Sequence, residues 1–125
     1  MKSYGTVLIV DDSSTSRMII QRCIQMAGVP VENYLFAENG LDAMAALKGH
    51  AEIDLVVTDI NMPKMDGRTF TTIMKGDAGM AGKPVIIVSS IADSALEAEL
   101  RSLGVQAVVK KPVSPAKMLQ AIGGE

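Results

Sequence analysis

Three aspartates and a lysine directly follow stretches of the chain that are typical of buried β-strands. Asp11 and Asp12 follow the first such stretch, Asp59 follows the third and Lys111 follows the fifth. Carboxylates gathered in one crevice repel each other, by roughly 4 kcal/mol for a pair ~4 Å apart at an effective dielectric near 20. A divalent cation such as Mg²⁺ offsets that repulsion, and a lysine adds a second positive group. Because aspartate is an established acceptor nucleophile, this set of groups is suited to accepting a phosphoryl group.

These residues depend for their placement on short β-rich runs that alternate with segments of helical periodicity. The predicted strands are Thr6–Val10, Tyr34–Ala37, Asp54–Thr58, Val85–Ser89 and Gln106–Lys110. Three of them contain continuous Val, Ile and Leu, which indicates burial on both faces, as in the central strands of a parallel sheet. The intervals between them are long enough for helical crossovers. The sequence therefore predicts an α/β fold, an open sandwich with a five-stranded parallel sheet and helices on both faces.

Boundary signals mark several of the predicted helices. Ser94 and Glu97 form a capping-box pattern, Gly28 and Gly104 stand where helices should end, and Ser114-Pro115 reads as an N-cap followed by proline at the first helical position. Five methionines within the helical segments are predicted to be core or gap-filling residues. They are Met18, Met26, Met44, Met74 and Met118.

Composition excludes several classes of protein. The chain has 125 residues, which suits one domain, and 48% apolar with 21% charged residues, which argues against wholesale disorder. A net charge of −2 argues against a nucleic-acid binder. The longest apolar runs are strand-sized, so we expect neither a membrane span nor a secretory signal. Cys23 is the single cysteine and forms no internal disulfide, so we expect a cytoplasmic protein.

The carboxyl ends of parallel strands share one edge of an open sheet, which is where its functional crevice lies. Four motifs fall at this edge: Val10-Asp11-Asp12, Thr58-Asp59-Ile60-Asn61-Met62-Pro63-Lys64-Met65-Asp66-Gly67, Val88-Ser89-Ser90 and Lys111-Pro112. In order and spacing the set resembles the receiver domain of two-component response regulators, most of all the free-standing chemotaxis type. The resemblance covers the whole chain. It implies a doubly wound (βα)5 flavodoxin-like αβα sandwich with strand order 2-1-3-4-5, in one receiver domain over residues 1–125 without an output domain.

The resemblance also implies a magnesium site and a phosphorylation site. Asp59 is the implied phosphoacceptor. Mg²⁺ would be bound directly by Asp12 and Asp59, partly through water by Asp11, and by the backbone carbonyl of Asn61. These roles make the chain a signalling switch that catalyses only its own phosphorylation and dephosphorylation, and not an enzyme that acts on other molecules.

Two further residues and the partners follow from the same resemblance. Lys111 would contact the phosphoryl group, Ser89 would donate a hydrogen bond to one of its oxygens, and the Lys111–Pro112 bond is expected to be cis. The implied phosphodonor is a histidine kinase, a histidine phosphotransfer protein or a small phosphodonor. An unidentified downstream protein would read the switch, and the chain would be a monomer or a weak dimer, with no nucleic acid or membrane as partner.

One position departs from the family pattern. The family usually has Tyr or Phe three residues before the lysine, whereas this chain has Val108, and no aromatic residue follows Phe70. In the family the hydroxyl moves toward the phosphoryl group and the ring swings into the vacated space, which a short, stiff valine cannot do. We therefore expect readout by another route, such as the loop Ser90-Ile91-Ala92 or another face of the molecule.

Three alternative functions are weighed against the switch. A degenerate receiver that binds a partner independently of phosphorylation would explain Val108. A phosphohydrolase with an aspartate nucleophile would need a second acid two residues after Asp59, where Asn61 stands. A flavin-binding module would need a carboxylate-free loop after the first strand, which Asp11 and Asp12 oppose, and the 3% aromatic content argues against ring stacking.

Overall fold

Five strands alternate with five helices in the part of the chain that this computed structural model describes, residues 3–91 and 93–123. Their bounds are β1 Tyr4–Val10, α1 Ser14–Met26, β2 Val31–Ala37, α2 Gly40–Gly49, β3 Ile53–Asp59, α3 Gly67–Gly76, β4 Val85–Ser89, α4 Ser94–Ser102, β5 Ala107–Lys110 and α5 Pro115–Gly123. The predicted alternation is confirmed. The largest difference is in β2, which begins at Val31 and not at Tyr34.

The strands form one parallel sheet in the order β2-β1-β3-β4-β5, which confirms the expected topology. The inner strands β1, β3 and β4 are buried on both faces, and the run Val7–Val10 is completely inaccessible. Register fixes which strand ends are neighbours. Asp59 of β3 pairs with Val88 of β4, and Ser89 pairs with Lys110 of β5. The polar residues that end these strands therefore share one edge of the sheet.

Two apolar cores lie on opposite faces of the sheet. Helices α1 and α5 cover one face through residues such as Ile24 and Met118. Helices α2, α3 and α4 cover the other face, where Leu47, Phe70 and Leu100 are buried. The two layers of helices confirm the predicted three-layer sandwich. Among the described residues, no helix combines the length and apolarity that crossing a membrane requires.

Most helix boundaries are those that the sequence indicates. Gly28 and Gly104 have positive φ angles of 80° and 95°, and the hydroxyl of Ser114 accepts a hydrogen bond from the Lys117 N–H at 3.1 Å. The predicted capping box at Ser94 is wrong. Asp93 is the N-cap of α4, because its backbone is extended and its carboxylate accepts hydrogen bonds from the N–H groups of Ala95 and Leu96, at 2.9 and 3.2 Å.

The methionine prediction is correct only in part. Met74 and Met118 are fully buried, and Met44 packs against the core. Met18 and Met26 are exposed, by 58% and 72%, so their placement in the core is wrong. Both lie away from the buried stripe of α1, which Ile20, Cys23 and Ile24 form.

Candidate functional site

Three carboxylates meet where β1 and β3 end. Asp11 and Asp12 directly follow β1, Asp59 is the last residue of β3, and one oxygen of each lies within 4.8 Å of the others. Asp11 and Asp59 are buried, with exposed fractions of 1% and 7%, whereas Asp12 faces solvent. A donor set made of carboxylate oxygens and open to water on one side fits a hard cation such as Mg²⁺. Asn61 lies in the exposed loop that follows Asp59, and its part in a metal site stays a prediction.

Lys111 reaches into this cluster from the end of β5. Its Nζ lies 3.4 Å from Oδ2 of Asp11 and 3.5 Å from Oδ1 of Asp59. Its backbone N–H donates to the carbonyl of Ser89 at 2.8 Å, which ties it to the neighbouring strand end. The peptide bond to Pro112 is cis, as expected. The structure therefore brings the lysine and the two buried aspartates together at one site.

The surroundings of Asp59 disfavour its ionised form. Burial raises the pKa of this carboxyl above its usual value, and the nearby Asp11 carboxylate raises it further. The Lys111 ammonium acts in the opposite direction but does not cancel these effects. Because desolvation and a like charge both penalise the carboxylate, an additional cation beside it would favour ionisation. The electrostatics thus indicate a site whose single ammonium group, that of Lys111, does not offset the charge of its carboxylates.

Two residues of α1 also belong to the site, although the sequence did not single them out. The hydroxyl of Ser16 donates to Oδ2 of Asp11 at 2.6 Å, and its Oγ lies 3.5 Å from Nζ of Lys111. The Arg17 guanidinium donates to the backbone carbonyl of Asp11 at 2.6 Å. The available signal was their place in the first turns of the helix that follows Asp11. The Ser16 hydrogen bond orients the Asp11 carboxylate, and the Arg17 hydrogen bond holds the backbone carbonyl of the same residue.

Ser89 is the last residue of β4 and is buried, with an exposed fraction of 1%. Its hydroxyl accepts a hydrogen bond from the Ile91 N–H at 3.0 Å. Since Val88 pairs with Asp59, Ser89 lies one residue beyond Asp59's partner, at the same edge of the sheet. Ser90 is exposed. In the loop considered for readout, Ala92 lies outside the described residues.

The loop after Asp59 folds back closely on that residue. A Cβ at Gly67 would lie 2.1 Å from the carbonyl oxygen of Asp59 and 2.9 Å from Cα of Ile60. The Gly67 N–H donates to the Ile60 carbonyl at 2.8 Å, and Asp66 caps α3 by accepting from the Thr69 N–H at 2.7 Å. Only glycine fits at this position, because any side chain would displace the backbone of the candidate acceptor.

Comparison with known proteins gives a uniform result. The family model of the response regulator receiver domain matches residues 7–123. The chemotaxis protein CheY1 of Helicobacter pylori is 32% identical over 109 residues, which cover 87% of this chain and 86% of that protein. The sensor histidine kinase CheAY of the same organism is 41% identical over 85 residues, which cover 67% of this chain but only 10% of the kinase.

A solved structure supports the same comparison. The CheX-CheY-BeF3-Mg+2 complex from Borrelia burgdorferi contains a chain that superposes with a TM-score of 0.81 at 32% sequence identity. The match covers 94% of this chain and 86% of that chain. Fold, order of the motifs and sequence therefore agree over nearly all of the described residues.

Proposed function

The chain belongs to the response regulator receiver domain family, and on that premise we propose that it is a phospho-accepting switch with Asp59 as the acceptor. The observation that carries the proposal is the position of the Lys111 ammonium, 3.4 and 3.5 Å from the buried carboxylates of Asp11 and Asp59. A lone carboxylate at a strand end would be an ordinary turn residue. The combination of three carboxylates and a lysine is what phosphoryl transfer to a carboxylate requires.

The proposed metal is Mg²⁺, held by Asp11, Asp12, Asp59 and the backbone carbonyl of Asn61. When bound, it supplies positive charge beside the carboxylate and the transferred oxygens. Within this chain, Ser16 and Arg17 act on the site indirectly, because they orient Asp11 through its carboxylate and its carbonyl.

In the proposed reaction a carboxylate oxygen of Asp59 attacks the phosphorus atom of the donor. A P–O bond to Asp59 forms, while the P–N bond to a donor histidine breaks and the nitrogen keeps the electron pair. With a small acyl phosphate as donor, a P–O bond breaks and the carboxylate leaves. Lys111 contacts the transferred phosphoryl group and Ser89 donates a hydrogen bond to one of its oxygens. Attack by water later restores the Asp59 carboxylate and releases inorganic phosphate.

A groove beside Lys111 supports a protein as the phosphodonor. A largely apolar hollow of about 430 Å³ lies between α1 and the connection from β5 to α5, and Ile19, Pro112 and Lys111 are among its lining residues. Ile19 is 48% exposed there. We propose that a histidine kinase or histidine phosphotransfer protein docks over this groove. We also propose that the receiver domain acts in the cytoplasm as a monomer or weak dimer.

Beryllofluoride, which mimics a phosphoryl group, tests the proposal without any donor. With Mg²⁺ present it should raise the melting temperature of the wild-type protein, because a ligand that binds only the folded state stabilises that state. The Asp59→Asn variant should show no such rise. Equal responses of the two proteins would instead favour the second candidate, a receiver that binds its partner independently of phosphorylation, for which Val108 is the supporting observation.

A further inference from the structure

We propose that Gly40, the first residue of α2, is a positioning residue for the metal site, because it holds the loop that carries the backbone carbonyl of Asn61. This acceptor loop, residues 60–66, connects Asp59 to α3. The inference rests on the proposed function and deepens it, because it identifies what fixes the position of one proposed metal ligand. Gly40 acts through the loop and does not itself bind the metal.

The N-terminus of α2 packs directly against the acceptor loop. The Gly40 N–H donates a hydrogen bond to the backbone carbonyl of Met65 at 2.9 Å. A Cβ at Gly40 would lie 2.7 Å from Cγ, 2.8 Å from the carbonyl oxygen and 2.9 Å from Cβ of Met65. Carbon atoms in contact are normally about 3.5–4.0 Å apart, so no side chain fits at Gly40 unless the loop moves.

Asn39 fixes the end of α2 to which the loop is bound. It is buried, with an exposed fraction of 3%, and its extended backbone makes it the N-cap of the helix. Its Oδ1 accepts a hydrogen bond from the Asp42 N–H at 2.9 Å, and its Nδ2 donates to Oδ2 of Asp42 at 3.2 Å. Because these contacts hold the first turn of α2, the Gly40 N–H meets the loop from a fixed position.

The acceptor loop is short and closed at its base, so a movement at one point affects the rest. The Gly67 N–H donates to the carbonyl of Ile60 at 2.8 Å, which joins the two ends of the loop. Lys64 has a φ of 66°, in the left-handed region that few residues other than glycine adopt. Asn61 lies four residues before Met65 in this closed loop. A displacement of Met65 should therefore also displace the Asn61 carbonyl.

Among the proposed metal ligands, Asn61 depends most on support from outside the sheet. Asp11 and Asp12 directly follow β1 and Asp59 ends β3, whereas Asn61 lies in an exposed loop. Mg²⁺ requires nearly ideal octahedral geometry with ligands at about 2.0–2.1 Å, so it binds less well when one ligand is displaced. Residues that orient a metal ligand typically change the metal affinity by about 10–100-fold when they are mutated.

Titration of the Gly40→Ala variant with Mg²⁺, followed by NMR, tests the proposal. The added Cβ must displace Met65, so we expect the Kd for Mg²⁺ to rise by about tenfold. Gly49→Ala adds the same atom in the last turn of α2, where nothing lies within 4 Å, and should leave the Kd unchanged. Leu47→Val, a buried change near the same end of α2, should lower the melting temperature but not alter the Kd.

A second pair of variants keeps the proposal testable if Gly40→Ala does not fold. Asn39→Ala removes the cap of α2 without adding an atom against the loop, and it should raise the Kd for Mg²⁺ by a smaller factor than Gly40→Ala does. Asn39→Ser retains a side-chain oxygen that can cap the helix, and its Kd should be close to that of the wild type. A purely structural role would lower the melting temperature of Asn39→Ala and leave its Kd unchanged.

Two results would overturn the inference. One is a wild-type Kd for Mg²⁺ in every folded variant of Gly40 and Asn39. The other is an equal rise of the Kd in Leu47→Val, which would show that any loss of stability weakens the metal site. The titration uses no phosphodonor, so this failure is distinguishable from failure of Asp59 to accept a phosphoryl group, which is detected by mass.

Discussion

The Lys111 ammonium lies 3.5 Å from Asp59 and also faces Asp11 at 3.4 Å, so one positive charge is shared by two buried carboxylates. Sharing leaves the cluster short of positive charge, and the pKa of Asp59 stays raised, chiefly because of burial and secondly because of Asp11. The excess of negative charge at the site should therefore lower the stability of the metal-free protein and favour binding of a cation. A metal cation bound beside Asp59 would reduce the repulsion between the carboxylates of Asp11 and Asp59.

Removal of the shared charge should slow phosphorylation. In Lys111→Met, Asp59 loses its nearest cation, and we expect phosphorylation by acetyl phosphate with Mg²⁺ to slow by roughly 100-fold. A time course of intact mass measures the rate. Lys110→Met is the matched control, since its side chain is exposed and has no described contact with Asp59. Equal rates for the two variants would exclude Lys111 from the reaction.

Neutralisation of the acceptor should stabilise the metal-free protein. Asp59→Asn removes a buried carboxylate with a raised pKa, so in EDTA at neutral pH we expect a higher melting temperature than that of the wild-type protein. Glu38→Gln, at an exposed position, should change little.

The same comparison has a defined pH dependence. A folded-state pKa above the unfolded value means that the penalty for the carboxylate exists above the folded pKa and disappears below the unfolded one. The difference in melting temperature between wild type and Asp59→Asn should therefore shrink as pH falls through the raised pKa of Asp59. A difference that grows with acidity would contradict the assignment.

The close approach of Gly67 to Asp59 predicts a strong effect of one methyl group. Gly67→Ala places a Cβ 2.1 Å from the Asp59 carbonyl oxygen, so we expect a loss of about 2–3 kcal/mol in unfolding free energy, measured by urea denaturation. At Gly49, in the last turn of α2, an added Cβ meets nothing within 4 Å. Gly49→Ala should be neutral or slightly stabilising. Similar losses at both positions would refute the steric argument.

Ser16 is not a proposed metal ligand, but its contact with Asp11 should still affect metal affinity. Ser16→Ala removes the 2.6 Å hydrogen bond that orients the Asp11 carboxylate, and we expect Mg²⁺ affinity to fall by about tenfold in calorimetric titration. Ser14→Ala, a change at an exposed position in the same helix, should bind Mg²⁺ as the wild type does. An unchanged Kd in Ser16→Ala would show that Asp11 needs no such support.

Topology explains why the centre of the site could be predicted from the sequence. Continuous Val and Ile runs identify buried parallel strands, and parallel strands place their carboxyl ends at one edge. Asp11, Asp59 and Lys111 directly follow or end such strands, so their convergence follows from the fold alone. The same reasoning placed Ser89 at this edge.

Residues that depend on local geometry were not predictable in the same way. Ser16 contacts Asp11 because of how the first turn of α1 is oriented relative to the end of β1. The periodicity of the sequence does not specify that orientation. Asp93 and Ser94 are both good capping residues, and only the extended backbone at Asp93 decides between them. Met18 and Met26 fit a helical pattern, but the pattern alone does not say which face of α1 is buried.

Intact mass after incubation with Mg²⁺ and acetyl phosphate tests the central claim most directly. We predict a gain of one phosphoryl group, about 80 Da, in the wild-type protein. The gain should be absent in Asp59→Asn and in wild type treated with EDTA. A gain of the same mass in Asp59→Asn would contradict Asp59 as the acceptor, and no gain in any sample would contradict the phospho-accepting switch itself.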